Sequence, residues 1–162
     1  MIESTYLKDN HKIMNDLKGI PNLVSFKEPD LRKLLSYSKI RKYKKDEQII
    51  TEGSYDGHVY ILIYGSARVI KKKKRLTTLD KRGDIFGEMS LLGDFSRTAS
   101  VFADNEVVCL AIDNTNIDQL SDRDKTSIYY ILYRVFAETL ANRLKTTSEE
   151  LINMKSKILN FW

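Results

Sequence analysis

Gly83-Asp84-Ile85-Phe86-Gly87-Glu88-Met89-Ser90-Leu91-Leu92-Gly93-Asp94-Phe95-Ser96-Arg97-Thr98-Ala99-Ser100-Val101 is the stretch around which the chain is organised. Glycines at 83, 87 and 93 permit tight turns and a close approach of backbone to a ligand. Met89 to Leu92 is long enough for about one helical turn, and the free N–H groups opening such a turn suit a phosphate oxygen. Arg97 presents a planar fork of donors that matches a phosphate better than a lysine does. Glu88 accepts only when ionised, so it suits sugar hydroxyls and is a poor neighbour for phosphate. A carboxylate and a guanidinium nine positions apart, flanking a Gly-closed turn, can grip opposite sides of a sugar phosphate. The plainer reading is a surface turn with an incidental Arg–Glu pair.

Outward from that stretch, the sequence has the composition of an ordinary globular chain. It has 162 residues, 42% hydrophobic and 30% charged, enough to bury a core without staples. The single cysteine, Cys109, lies in the apolar run Val107–Ile112 and excludes an internal disulfide or a four-cysteine metal site. It reads as a small core residue. No segment is long and apolar enough to span a membrane, and the N-terminus lacks the apolar stretch of a signal peptide, so a cytoplasmic location is expected. The net charge is +5, and the run Lys71-Lys72-Lys73-Lys74-Arg75 reads as a solvated hairpin tip; docking on nucleic acid or an acidic membrane is the alternative. His11 and His58 are the only histidines. No partners at metal-ligand spacing accompany them, and His58 reads as a structural residue at a strand start rather than a haem ligand.

Met1 to Asn22 shows a loose helical pattern through Ile2, Tyr6, Ile13, Met14 and Leu17, broken at Gly19-Ile20-Pro21-Asn22. A short helix is predicted from Glu28 to Tyr37, with Pro29 in its first turn. From Ile40 the pattern changes to short strands separated by turn signals, as an all-β barrel or sandwich requires. Strands are predicted at Ile40–Tyr43, Gln48–Thr51, His58–Tyr64, Ala67–Lys72, Leu76–Asp80, Thr98–Ala103 and Glu106–Ile112. The strand from His58 to Tyr64 is apolar on both faces and should be central.

From about Asp122 there is no Gly or Pro and the period becomes helical. Tyr130, Tyr133, Ala137, Leu140, Leu144, Thr147, Leu151, Met154, Ile158 and Phe161 recur in strict steps of three and four. That is the seam of a coiled coil, so a parallel homodimer through the later heptads is expected. Ile128 to Phe136 is expected to pack on its own domain, with a break before the long helix begins.

Phe86-Gly87-Glu88, then Leu91-Leu92, then Arg97-Thr98-Ala99 resembles the phosphate-binding cassette of cyclic nucleotide-binding domains. This family includes protein kinase A regulatory subunits, cyclic-nucleotide-gated channels and the bacterial catabolite activator protein. Glu52-Gly53, Asp56, Val59 to Leu62 and Gly65 to Val69 also resemble it, in the correct order, so the resemblance spans about residues 24 to 150. It implies a mostly β fold with flanking helices, a double-stranded β-helix (jelly-roll) barrel plus a long C-terminal helix. The expected divisions are an N-terminal helical extension (1–22), the barrel (23–121) and C-terminal helices serving as lid and dimer seam (122–162).

The resemblance further implies that Glu88 holds the ribose 2′-hydroxyl. Arg97 pairs with the cyclic phosphate, joined by N–H groups around Gly87, Glu88, Thr98 and Ala99. Val69 and Leu76 are candidates for the apolar wall around the base and ribose, and Phe86 and Met89 count among the ligand-binding residues, Met89 with no role assigned beyond the turn. Arg143-Leu144-Lys145-Thr146-Thr147-Ser148-Glu149 resembles the long helix of the catabolite activator protein, where a Thr-Ser pair, one from each subunit, bonds the adenine amino group. Arg143, Thr147 and Ser148 therefore join the candidate ligand-binding residues. In this family a hydroxyl after the cassette arginine pairs with guanine, so Thr98 admits cyclic GMP, whereas Thr147 and Ser148 argue for cyclic AMP, which is favoured.

The expected function is a stand-alone cyclic nucleotide sensor that couples binding to rearrangement of its C-terminal helices and passes the signal to a further protein. The sensor half of a truncated catabolite-activator-like regulator is the alternative, since no DNA-reading helix-turn-helix follows. A sensor preferring cyclic GMP is another. Paired metal ligands and a Ser–His–Asp arrangement are not visible, so neither a metal nor an enzymatic activity is expected.

Overall fold

The computed structural model describes residues 1–5, 7, 10–89 and 96–159. Strand β1 (Ile2–Glu3) is followed by helix α1 (His11–Lys18), a 3₁₀ turn at Pro21–Leu23 and helix α2 (Glu28–Ser36). Strands β2 (Ser38–Tyr43), β3 (Gln48–Ile50), β4 (His58–Tyr64), β5 (Ala67–Lys71), β6 (Lys74–Leu79), β7 (Ile85–Phe86), β8 (Ser100–Ala103) and β9 (Val107–Asp113) come next. Helices α3 (Asn114–Asp118) and α4 (Asp122–Leu159) complete the described chain.

The strands form a five-stranded sheet, β1-β2-β9-β4-β7, and a four-stranded sheet, β3-β8-β5-β6. Every described pairing is antiparallel. The sheets face one another in the jelly-roll manner without closing into a single hydrogen-bonded barrel. Strand β4 lies inside the first sheet, and the period of two explains why its sequence is apolar throughout. Val59 and Ile61 face one core, with Leu17, Leu34, Ile128 and Leu132. Tyr60 and Leu62 face the other, with Ile50, Val101 and Cys109 between the sheets. Cys109 is fully buried, and burial pushes its thiol up to about 12, which leaves it a core residue rather than a nucleophile. Gly65 closes the β4–β5 turn at φ 92°, where a Cβ would lie 2.0 Å from the Glu106 carbonyl oxygen, so no side chain fits there.

Three sequence expectations differ from the structure. Among the described residues, the helical pattern predicted over Met1–Asn22 is α-helical only at His11–Lys18, because Ile2 and Glu3 pair with Lys42 and Arg41 and extend the first sheet. Tyr6, part of that pattern, lies outside the described residues. Second, α4 runs without the expected break: its apolar stripe Ile128, Ile131, Leu132, Val135, Phe136 is buried, the first four in the core that the stripe shares with α2 and the first sheet, and the helix continues past it. With no Gly or Pro in this segment nothing interrupts its ladder of backbone hydrogen bonds. Third, Thr98 and Ala99 precede β8 instead of opening it. Strand β7 has two residues, too few to show a period, and is anchored by pairing with Tyr60 and Ile61.

Candidate functional site

Arg97 is the most constrained charged residue of the site. Its side chain is 3% exposed. The loop before β4 clamps its backbone: Arg97 N–H donates to Ser54 O at 2.8 Å, and Gly53 N–H donates to Arg97 O at 2.8 Å. Its guanidinium donates from Nη1 to Gly87 O and from Nη2 to His58 O, both at 2.6 Å. Nη2 also lies 3.3 Å from Asp56 Oδ2. The two Nη nitrogens carry these contacts, while Nε is buried and has no partner among the described residues. A buried donor without an acceptor is costly, and a bound anion is one way to satisfy it.

Gly87 makes this arrangement possible. At φ 73° a Cβ would stand 2.7 Å from Arg97 Nη1 and 3.0 Å from His58 O, so both backbone conformation and space demand glycine. Phe86, just before it on β7, stacks on Tyr60 with ring centroids 5.1 Å apart.

Asp56 is the counter-ion of the guanidinium. Burial alone pushes its carboxyl up, but the His58 ring and backbone N–H groups and the charge of Arg97 outweigh that, and the net shift is well below the ordinary carboxylate range. Burial, then the Asp56 charge, pushes the Tyr60 hydroxyl up to about 12, so Tyr60 stays a neutral hydrogen-bonding group.

Across from this wall, Glu88 and Met89 follow the Gly87 turn in 3₁₀ conformation. The expected helical turn continues into Ser90, Leu91 and Leu92, which with Gly93 lie outside the described residues. Glu88, only 13% exposed at its side chain, lies 3.6 Å from Arg143 Nη1, and Arg143 Nη2 donates to Ile85 O at 2.6 Å. Arg143 thereby ties helix α4 to the cassette.

Between the two walls is an open cavity of about 830 Å³. Of the residues singled out from sequence, Val69, Leu76, Phe86, Gly87, Glu88, Met89, Arg97, Thr98, Ala99, Arg143 and Thr147 line it. Ser148 does not; it is exposed on the next position of α4. The structure adds Asn22, Ile50, Val101, Thr139 and Asn142 to the wall. Asn22 Nδ2 lies 3.5 Å from the Thr139 hydroxyl, so the N-terminal segment also meets α4 at the cavity rim. No pattern around Asn22 points to this role. Among the described residues no group of His, Cys, Asp or Glu is arranged to hold a metal.

Residues 40–124 match the model of the cyclic nucleotide-binding domain, over half of the chain. The chain belongs to that family. It is 32% identical over 104 residues to a cAMP-dependent protein kinase regulatory subunit of Eremothecium gossypii, a match covering 64% of this chain and 23% of that protein. To cGMP-dependent protein kinase 2 of Homo sapiens it is 31% identical over 112 residues, covering 65% of this chain and 15% of the kinase. The chain therefore spans less than a quarter of the length of these relatives. Among solved structures, PKAR CBD2 with Sp-2Cl-cAMPS bound superposes with a TM-score of 0.67 at 27% identity, over 90% of this chain and 94% of that one. No described helix is long and apolar enough to cross a membrane.

Proposed function

We propose that this chain is a non-catalytic sensor domain whose preferred ligand is cyclic AMP and whose output is the pose of α4. The observation that carries this reading is Arg97, which lines the cavity, is buried and oriented on two sides, and has an Nε without a partner among the described residues. In this reading the cyclic phosphate bonds Arg97 and the N–H groups near Thr98 and Ala99, while Glu88 takes a ribose hydroxyl.

The coupling follows from Arg143. The carboxylate assigned to ribose is the one that Arg143 approaches, so ligand and helix meet at one group. A ligand shifts a conformational equilibrium only by its different affinity for the two states, and competition for Glu88 supplies such a difference. The apolar residues Leu140, Leu144, Leu151, Met154 and Ile158 are exposed along α4, which supports a homodimer through this seam; Phe161, its last expected member, lies outside the described residues. Thr147 lines the cavity and Ser148 does not. This fits a base contact shared between Thr147 and Ser148 of the partner subunit.

Cyclic GMP is the second reading, favoured by Thr98 on the cavity wall and by the cGMP-dependent relative. Calorimetric titration with each nucleotide decides between them. Cyclic AMP should bind more tightly, and Thr147→Val should weaken it about tenfold, the worth of one hydrogen bond. Tighter cyclic GMP binding, lost in Thr98→Ala, would overturn the cyclic AMP assignment.

A further inference from the structure

Strand β1 and Arg97 lie at opposite ends of one chain of side-chain contacts. Arg97 reaches Asp56 Oδ2. Asp56 Oδ1 lies 2.6 Å from Nδ1 of His58, and Nε2 of the same ring lies 3.0 Å from Nη2 of Arg41. Arg41 donates from Nη1 to the Tyr60 hydroxyl at 2.8 Å and from Nε to Glu3 Oε2 at 2.5 Å. Glu3 belongs to β1. A guanidinium can only donate, so Nε2 must accept and Nδ1 must donate to Asp56, which gives every link a fixed direction. The side chains of Arg41, His58, Glu3 and Asp56 are 14%, 26%, 26% and 29% exposed, so the inner links are half-buried and the Arg41–Glu3 link lies at the surface.

We propose that Asp56, His58 and Arg41 are positioning residues for Arg97, and that through them and Glu3 the docking of β1 is coupled to anion binding. This rests on reading the cavity as a cyclic nucleotide site. The guanidinium is fixed on Nη1 by Gly87 O and on Nη2 by His58 O and Asp56, which is what leaves Nε for the anion. His58 enters twice: its carbonyl holds Nη2 directly, and its ring holds Asp56. Release of the ring therefore loosens one of the three anchors, Asp56, which then keeps only the His58 backbone N–H. Thermodynamic linkage makes the effect mutual: if a docked β1 strengthens nucleotide binding, nucleotide strengthens β1 docking by the same factor.

The test uses the full chain, with cyclic AMP and cyclic GMP as calorimetric probes. Glu3→Gln, remote from the cavity, should weaken nucleotide binding about two- to threefold, and His58→Ala about tenfold, within the range of mutations acting along such a network. His58→Gln, which can still donate and accept, should recover part of the loss. Nucleotide should slow hydrogen exchange at the Ser4 amide, which donates to Ile40 O, and slow it less in Glu3→Gln. A ligand-free arm separates this proposal from the nucleotide reading. In Asp56→Asn without nucleotide, the nitrogen NMR signals of the His58 ring should change and Ser4 exchange should quicken. Unchanged ring signals and exchange would overturn the proposal whatever the nucleotide results. Changed signals in a protein that binds neither nucleotide would refute only the nucleotide reading and leave β1 coupled to Arg97. If Asp56→Asn does not fold, Glu3→Gln decides: unaltered affinity and unaltered Ser4 exchange would sink the coupling.

Discussion

The two halves of helix α4 differ in apolar content and are opposite in use: nine of the twelve residues from Ile128 to Thr139 are apolar, against five of the fifteen from Leu144 to Ile158. From Ile128 to Thr139 one stripe is buried, holding the helix in the core it shares with α2 and the five-stranded sheet. From Leu144 to Ile158 every residue is exposed, including Leu144, Leu151, Met154 and Ile158. The seam read from sequence is a different face from the buried stripe, for Tyr130 and Tyr133 are exposed while their neighbours Ile131 and Leu132 are buried. One face attaches the helix to its own domain and the other is left for something else. Arg143, at the boundary, ties the helix to Glu88 and Ile85. The difference teaches that core packing fixes only the first half of the helix, while among the described residues the second half is held by its own backbone ladder alone.

The sharpest way to break this contrast is the same truncation in each half. Leu132→Ala should lower stability by about 2–5 kcal/mol, because it opens a cavity in a packed core, and a denaturant melt measures it. Leu151→Ala should leave the fold within about 0.5 kcal/mol yet lower self-association, seen in sedimentation and as a weaker dependence of melting temperature on protein concentration. Equal losses in the two melts would mean that the free half packs on its own domain.

A second contrast is between the fixed wall of the cavity and the helix wall. Asp56 in the fixed wall has a folded-state pKa below its ordinary value. Such a group contributes stability that is full above its unfolded pKa of about 4, and the contribution is lost as falling pH passes through the depressed folded pKa. Asp56→Asn should therefore be less stable than wild type at neutral pH, and the two melting curves should converge below about pH 4. A constant gap down to acid pH would deny the ion pair with Arg97 any part in stability. In the helix wall, Arg143→Met should change stability least of all, since the pair with Glu88 is partly exposed and weakly stabilising. Its effect should appear in hydrogen exchange, with residues 144–158 no longer responding to added nucleotide.

Much of this was legible in the sequence because single residues carry their own constraints. The two-faced apolar run of β4 announced a strand buried on both sides, and the glycine before Glu88 announced a backbone turned onto its neighbours. The strict steps of three and four made the segment legible as a long helix. What was illegible depended on contacts between distant segments. Ile2 and Glu3 are a strand only because Arg41 and Lys42 offer an edge. Asn22 lines the cavity only because its carboxamide meets Thr139, 117 positions away. Asp56 was legible as a family position, but its partnership with Arg97 and His58 required the fold to bring the three together. The missing break in α4 follows the same logic, since tertiary packing ends at the boundary while the helix ladder does not.

The central claim is that Arg97 is the anion-binding group of a cyclic nucleotide site. Calorimetric titration of wild type and Arg97→Lys with cyclic AMP tests it most directly, because lysine keeps the positive charge beside Asp56 and removes the fork and its Nε. The account predicts a measurable affinity for wild type, reduced in Arg97→Lys by about thirtyfold or more, the cost of truncating a buried charge partner. Unchanged affinity in a folded Arg97→Lys would contradict it.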